Sequence, residues 1–120
     1  GGRTISPEKD GWKIENIPGG IVQMTKTVER SVSNYNTYGP FYGFYIDISF
    51  PIKLKLGYQA HVEWQIGAGF SIPAGNLSRS STGFRAYGMG TGNGSQNCKI
   101  DILVIGEKRI RRVIPSFLLP

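Results

Sequence analysis

The chain has 120 residues, a formal net charge of +6, 39% hydrophobic residues and 18% charged residues. This length is typical of one domain, and the composition excludes a disordered or collagen-like chain. The sequence contains one cysteine and one histidine, which excludes an intrachain disulfide and a Cys/His zinc site. We expect no signal peptide and no membrane insertion, because the longest purely apolar runs, such as 102–105, have four residues against the roughly 20 that a membrane helix needs.

The first predicted strands are residues 12–17 and a run from about 22 to 32. In the second run the apolar residues all fall on one side of an alternating pattern, which predicts a strand with one buried face. These apolar residues are Val22, Met24, Val28 and Val32. Lys26 and Arg30 fall on the same side, so we expect a β-bulge or a strand end to interrupt this run.

The next predicted strand is FYGFYIDISF, residues 41–50, and Pro51 ends it because proline cannot donate to a sheet ladder. Its alternation places Phe44, Ile46, Ile48 and Phe50 on one side and Tyr45, Asp47 and Ser49 on the other. Strand-forming residues resume at Ile52 or Leu54 and continue to about Ile66. Alternation in this second segment predicts one apolar face. Its members are Leu54, Leu56, Tyr58, Ala60, Val62, Trp64 and Ile66.

Two further strands are predicted at 81–87 and 98–106, and the glycine-rich sequence between them, GMGTGNG, is expected to be a flexible hairpin loop. Six or more short strands without intervening helices predict an antiparallel β-sandwich or barrel, and we expect a sandwich. The expected organisation is a flexible segment or expression remnant at 1–10, a β-sandwich domain at 11–107 and a basic, apolar tail at 108–120.

No residue set in the sequence predicts catalysis, a cofactor or a metal site. Cys98 lies on the apolar side of its strand and His61 on the polar side of another, so the two do not suit a catalytic pair. The outward carboxylates Asp47, Glu63 and Asp101 have no spacing that links them as a hydrolytic pair. The GMGTGNG sequence precedes a strand rather than the helix that a phosphate-binding loop requires. We therefore expect a protein that is not an enzyme.

The most distinctive surface candidate is SNYNTYGPFYG, residues 33–43, which is rich in aromatic and amide side chains and has no charge. Tyrosine and asparagine make adaptable contacts at low entropic cost, which suits ligand recognition. We predict ligand contacts from Tyr35, Asn36 and Tyr38. Arg85 and Tyr87 extend the site, and Arg85 would suit a carboxylated or phosphorylated sugar. The alternative is that these rings pack inside a loop or at a subunit contact.

The basic charge leaves nucleic-acid binding by an OB-type barrel open, with bases stacking along a basic groove. Tyr45, Tyr87, Arg85, Lys53 and Lys55 would supply such a groove. The sequence disfavours this partner, because its aromatic and basic residues do not interleave in a recurring pattern.

Four sequences, in this order along the chain, resemble the C-terminal domains of bacteriophage tail fibres. H-type lectins have a similar pattern of strands, including a late Gly-Phe strand. These sequences are GGIVQMTKTV (19–28), ISFPIKLKLGYQAHVEW (48–64), SSTGFRAYG (80–88) and KIDILVIGE (99–107). The resemblance implies a trimeric β-sandwich at a fibre tip in the virion, which acts outside the cell and binds a host-surface glycan or protein receptor. The apolar sequence VIPSFLLP near the C-terminus agrees with a homotrimer that covers it. A purely structural trimerisation or baseplate module remains the alternative.

Overall fold

The computed structural model describes residues 2–65, 70–72 and 79–109, which form an all-β fold without a helix. The strands are β1 Thr4–Lys9, β2 Trp12–Ile17, β3 Ile21–Ser33, β4 Asn36–Tyr38, β5 Phe41–Ser49, β6 Gln59–Gln65, β7 Phe70–Ile72, β8 Arg79–Ser80, β9 Gly83–Gly90 and β10 Ser95–Glu107.

The strands form two antiparallel sheets, which confirms the predicted fold class. Sheet A has the order β1-β2-β3-β10-β6, and sheet B has the order β4-β5-β9-β7, with β8 also paired to β9. Buried side chains from both sheets belong to one hydrophobic core. Each sheet therefore has an inner face toward that core and an outer face on the opposite side.

The centre of sheet A is a long ladder between β3 and β10. Both strands have 13 residues, and their pairing runs without a register shift from Ile21↔Glu107 to Ser33↔Ser95. The predicted interruption of this run is therefore wrong. Lys26 is accommodated on the apolar side because its long side chain reaches out of the core. Its Nζ lies 5.8 Å from the Trp12 ring centroid and donates a hydrogen bond to the carbonyl oxygen of Asp10.

The core draws its most deeply buried side chains from both sheets and from the segment before β6. These are Trp12, Val22, Met24, Ile100 and Val104 from sheet A, Phe44 from sheet B, and Leu54. The predicted burial of Trp64 is confirmed, since its exposed fraction is 5%. The Trp64 ring of sheet A packs directly against the backbone of Gly88 in sheet B, since a Cβ atom at Gly88 would lie only 2.8 Å from the ring.

The segment between β5 and β6 departs from the predicted strand. Leu54 and Tyr58 are buried as expected, but Leu56 is 59% exposed. A turn at residues 56–57 breaks the alternation, and β6 begins only at Gln59. The assignment of Leu56 to the buried face is therefore wrong, because alternation holds only while the backbone stays extended.

Strand β1 lies inside the N-terminal segment that the sequence predicts to be flexible. It pairs with β2 from Thr4↔Asn16 to Lys9↔Trp12, with an irregular register between Ser6 and Lys9. Pro7 falls in this irregular part, and β1 is the edge of sheet A, where proline is tolerated. In the predicted tail, Lys108 and Arg109 are described, whereas 110–120 lie outside the described residues.

The sequence GMGTGNG divides between a strand and a connection. Its first three residues belong to β9, and residues 91–94 lead into β10. Strand β9 is in sheet B and β10 is in sheet A. The prediction of a hairpin loop is therefore wrong, because this connection crosses from one sheet to the other.

Candidate functional site

The outer face of sheet B carries aromatic and charged side chains from two adjacent strands. Alternation along β5 turns its aliphatic residues into the core, so that Tyr45 and Asp47 point outward. The register between β5 and β9 pairs Tyr45 with Tyr87 and Asp47 with Arg85. Directly opposed residues on one face of an antiparallel pair are close enough for their side chains to interact.

Four tyrosines meet on this face and form the tyrosine cluster: Tyr35, Tyr38, Tyr45 and Tyr87. The centroid of the Tyr35 ring lies 5.2 Å from that of Tyr45, 6.2 Å from that of Tyr87 and 6.4 Å from that of Tyr38. Tyr35 meets Tyr38 and Tyr45 edge to face, which is a favourable aromatic geometry. The exposed fractions of Tyr35, Tyr38 and Tyr45 are 45%, 39% and 38%, so ring surface remains open to a ligand.

Gly43 of β5 provides the surface on which two of these rings lie. A Cβ atom at Gly43 would be 2.8 Å from Cε2 of Tyr38 and 3.1 Å from Cε1 of Tyr35. The backbone amide of Tyr35 also donates a hydrogen bond of 2.9 Å to the carbonyl oxygen of Gly43. The absence of a side chain at Gly43 therefore lets both rings approach the β5 backbone.

Hydrogen bonds connect the polar ends of the cluster. The hydroxyls of Tyr35 and Tyr38 are 3.1 Å apart, and Nδ2 of Asn36 donates to the Tyr38 hydroxyl at 3.3 Å. The hydrogen bond to Tyr38, together with partial burial, raises the pKa of Tyr35 from 10.0 to about 12. Tyr35 therefore keeps its proton to a higher pH than an ordinary tyrosine.

Arg85 and Asp47 form an ion pair beside the cluster. Nε of Arg85 donates to Oδ1 of Asp47 at 2.8 Å, and Nη2 donates to Oδ2 at 3.4 Å. The guanidinium carbon also lies 4.1 Å from the centroid of the Tyr45 ring, within the range of a cation–π contact. The hydrogen bond to Asp47 raises the pKa of Arg85 further above its ordinary value, so Arg85 stays positively charged.

The structure brings all five predicted site residues to this face or its border. Tyr35, Tyr87 and Arg85 belong to one contact network, and Asn36 joins it through Tyr38. Sequence reasoning omitted two neighbours from the site, Tyr45 and Asp47, and it included Gly43 only as part of the segment 33–43. The outward alternation of Tyr45 and Asp47 was visible in the sequence, but only the β5–β9 pairing assigns them to the same face as Arg85 and Tyr87.

Two basic side chains of the alternative nucleic-acid groove are paired with acids. Arg85 bonds to Asp47, and Nζ of Lys55 lies 2.8 Å from Oε1 of Glu107 at the end of β10. The aromatic members of that proposed groove, Tyr45 and Tyr87, belong to the tyrosine cluster. Two of the three basic residues of the proposed groove, Arg85 and Lys55, are thus neutralised by carboxylates, which weakens the case for phosphate binding there.

Sheet A brings together few groups with catalytic potential. The prediction that Cys98 is buried and His61 exposed is confirmed, with Cys98 3% exposed, and burial raises the pKa of its thiol. On the outer face Asp101 is the register partner of both Glu63 and Thr27, and it accepts a hydrogen bond of 2.7 Å from Thr27. Glu63, Asp101 and Thr27 line a groove of about 620 Å³ on this face. Among the described residues, no three His, Cys, Asp or Glu side chains are grouped as metal ligands.

Comparison with solved structures supports the tail-fibre resemblance at the level of fold. A pyocin fibre has a similar fold. The structure of the P. aeruginosa R1 pyocin fibre comprising C-terminal residues 323–701 aligns with a TM-score of 0.55 and 17% sequence identity. The alignment covers 87% of this chain and 28% of the fibre chain. No protein-family model matches this chain, and no curated protein matches it.

In the part of the chain that the structure describes, no segment is a helix long and apolar enough to cross a bilayer.

The outer face of sheet B is the strongest candidate site, because it combines accessible rings, hydrogen-bonding groups and a fixed backbone support.

Proposed function

We propose that this domain is a non-catalytic receptor-binding domain of a phage or phage-derived tail fibre. Its fold resembles that of a fibre from a pyocin, which is a phage-tail-like particle. In this proposal it assembles as a homotrimer at the fibre tip of the virion and acts outside the cell. Its ligand is a host cell-surface receptor, and a glycan suits the site best.

The accessible tyrosine cluster is the observation that carries this proposal. Three of its rings are more than one third exposed, and the hydroxyls of Tyr35 and Tyr38 lie side by side at its surface. Aromatic rings can stack on the apolar faces of sugars, while hydroxyls and the Asn36 amide exchange hydrogen bonds with sugar hydroxyls. Edge-to-face packing and the Gly43 contact hold the rings in place, which lowers the entropic cost of binding.

Weak binding at each site would be sufficient in a trimer. Three equivalent sites that engage one cell surface raise the avidity by about 10²- to 10⁴-fold without any additional contact within a site. A shallow, open surface such as the outer face of sheet B suits this mode of binding, because no single site needs a deep pocket.

The test is the combined substitution Tyr35→Ala and Tyr38→Ala. We expect loss of adsorption to host cells and of glycan binding, while the oligomer mass and melting temperature stay unchanged. The matched control, Ile5→Ala with Leu56→Ala, removes two side chains that are 84% and 59% exposed outside the cluster. Adsorption that survives the tyrosine substitutions in an intact oligomer would refute the role of the cluster.

A structural assembly module is the second candidate function. The exposed apolar side chains of Ile5 and Leu56 favour it, since such side chains commonly become buried at subunit contacts. If the tyrosine substitutions dissociate the oligomer, the cluster is an interface instead of a receptor site. If the control substitutions dissociate it, Ile5 and Leu56 contribute to assembly, and a loss of adsorption in that control reports lost avidity instead of a lost ligand contact.

A further inference from the structure

The outer face of sheet B carries few charges. Strands β4, β5, β7 and β9 contain one acidic residue, Asp47, and one basic residue, Arg85, and these two residues pair with each other. The other charged residue of sheet B, Arg79 of β8, is not part of this pair, and its guanidinium carbon lies 4.2 Å from the ring centroid of the buried Tyr58. The tyrosine cluster thus lies on an electrically balanced face, although the whole chain has a net charge of +6.

The geometry of the pair determines how Arg85 can act on a ligand. Two donors on one edge of the guanidinium, Nε and Nη2, point at the two carboxylate oxygens of Asp47. This is the planar, two-point contact that arginine would otherwise offer to a carboxylated ligand. One planar face of the Arg85 guanidinium lies over the Tyr45 ring. This contact holds the guanidinium in the orientation in which its Nε and Nη2 edge faces Asp47.

An incoming anion would have to compete with Asp47 for this edge. Exposed ion pairs contribute little to stability, but Asp47 is tethered on the neighbouring strand and competes at a high effective concentration. An anion that did not displace it would also lie near its negative charge. A neutral sugar incurs neither cost, because it needs only the rings, the hydroxyls and the amide.

We propose that Asp47 is a specificity-determining residue that restricts the tyrosine cluster to uncharged glycans by occupying Arg85. This inference rests on the proposed function and narrows its ligand class. It replaces the sequence-based expectation that Arg85 binds a carboxylated or phosphorylated sugar. Removal of the Asp47 charge should release Arg85 and extend binding to acidic glycans.

The experiment uses an array of oligosaccharide pairs that differ by one carboxylate, ending in galactose or galacturonic acid and in glucose or glucuronic acid. The intact protein should bind the neutral member of a pair more strongly. Asp47→Asn should increase binding of the acidic member about tenfold or more, which is the range for a new charge-assisted hydrogen bond. The gain should decrease with added salt and disappear when Arg85→Gln is combined with Asp47→Asn.

The control is Asp10→Asn, which makes the same charge change in the turn between β1 and β2. Asp10 has a φ of 53°, a conformation that asparagine tolerates well, and the substitution should leave the neutral-to-acidic ratio unchanged. Stronger binding of acidic glycans by the unsubstituted protein would overturn the inference and leave the receptor function intact. An unchanged ratio in Asp47→Asn would also overturn it. Binding to neither member of any pair, with adsorption to cells retained, would point to a protein receptor and overturn the glycan assignment.

Discussion

The contact between Trp64 and Gly88 permits a quantitative test of how the two sheets pack. Gly88→Ala would place a methyl group 2.8 Å from the Trp64 ring, well inside normal carbon contact distance. Such overpacking costs about 1–3 kcal/mol. Without the contact the same change would stabilise the protein by about 0.4–1 kcal/mol, because alanine restricts the unfolded chain. The sign of the effect therefore reports whether the ring lies against this backbone.

Trp64→Ala should cost about 3–5 kcal/mol, because the side chain is 5% exposed and its removal leaves a cavity. In that background the methyl group of Gly88→Ala enters the space that the ring has left. We therefore expect the second substitution to cost close to nothing there, which gives a coupling energy of about 1–3 kcal/mol between the two sites.

The assay is urea unfolding of the two single variants, the double variant and the parent at one protein concentration, so that the contribution of assembly to stability is compared under the same conditions. Gly57→Ala is the matched control, since a Cβ atom there meets nothing within 4 Å. Effects that add within about 0.5 kcal/mol would refute the cross-sheet contact. A loss below about 1 kcal/mol for Trp64→Ala would refute the burial of this ring.

Three further predictions concern assembly and titration. Light scattering should give a mass near three times 13.2 kDa, and a stable monomer at micromolar concentration would contradict the trimer. In a spectrophotometric titration Tyr35 should ionise near pH 12, and Tyr38→Phe should lower this pKa. Because the pKa of Tyr35 is higher in the folded than in the unfolded protein, its contribution to stability is complete below pH 10 and is lost as the pH rises to 12. Cys98, 3% exposed and with its pKa raised by burial, should react with a thiol reagent only after unfolding, and rapid modification of the folded protein would contradict its burial.

Local alternation explains why much of the fold was predictable. In β5 it identified Ile46 and Ile48 as core residues, and both are at most 5% exposed. In β10 it placed Cys98 in the core in the same way. These predictions succeeded because side-chain direction in an extended chain depends only on position along the strand.

The errors arise where local pattern and three-dimensional context diverge. Strand β1 escaped detection because its residues are mostly polar and include Pro7, and its pairing to β2 becomes clear only in the sheet. The basic residue Lys26 suggested a bulge, yet its side chain extends past Trp12 to the Asp10 carbonyl. A residue type alone does not say whether a long side chain can leave the core.

The candidate site was predictable in part for the same reason. Local composition predicted Tyr35 and Tyr38 as ligand contacts, and alternation along its strand predicted an outward position for Arg85. The Arg85–Asp47 pair could not be predicted, because it depends on the register of two strands whose members are 38 residues apart. Period-two alternation specifies which side of a strand a residue occupies but not which strand lies beside it.

The β3–β10 ladder has a consequence for how the chain is made. Its nearest partners, Ser33 and Ser95, are already 62 residues apart in sequence, and β10 separates β3 from β6 in sheet A. During synthesis β3 and β6 emerge from the ribosome well before the strand that joins them, so each presents an unpaired edge to other chains. Sheet A is thus completed only after β10 has been synthesised, and nascent chains that stop before Ser95 would be prone to aggregate through these two edges.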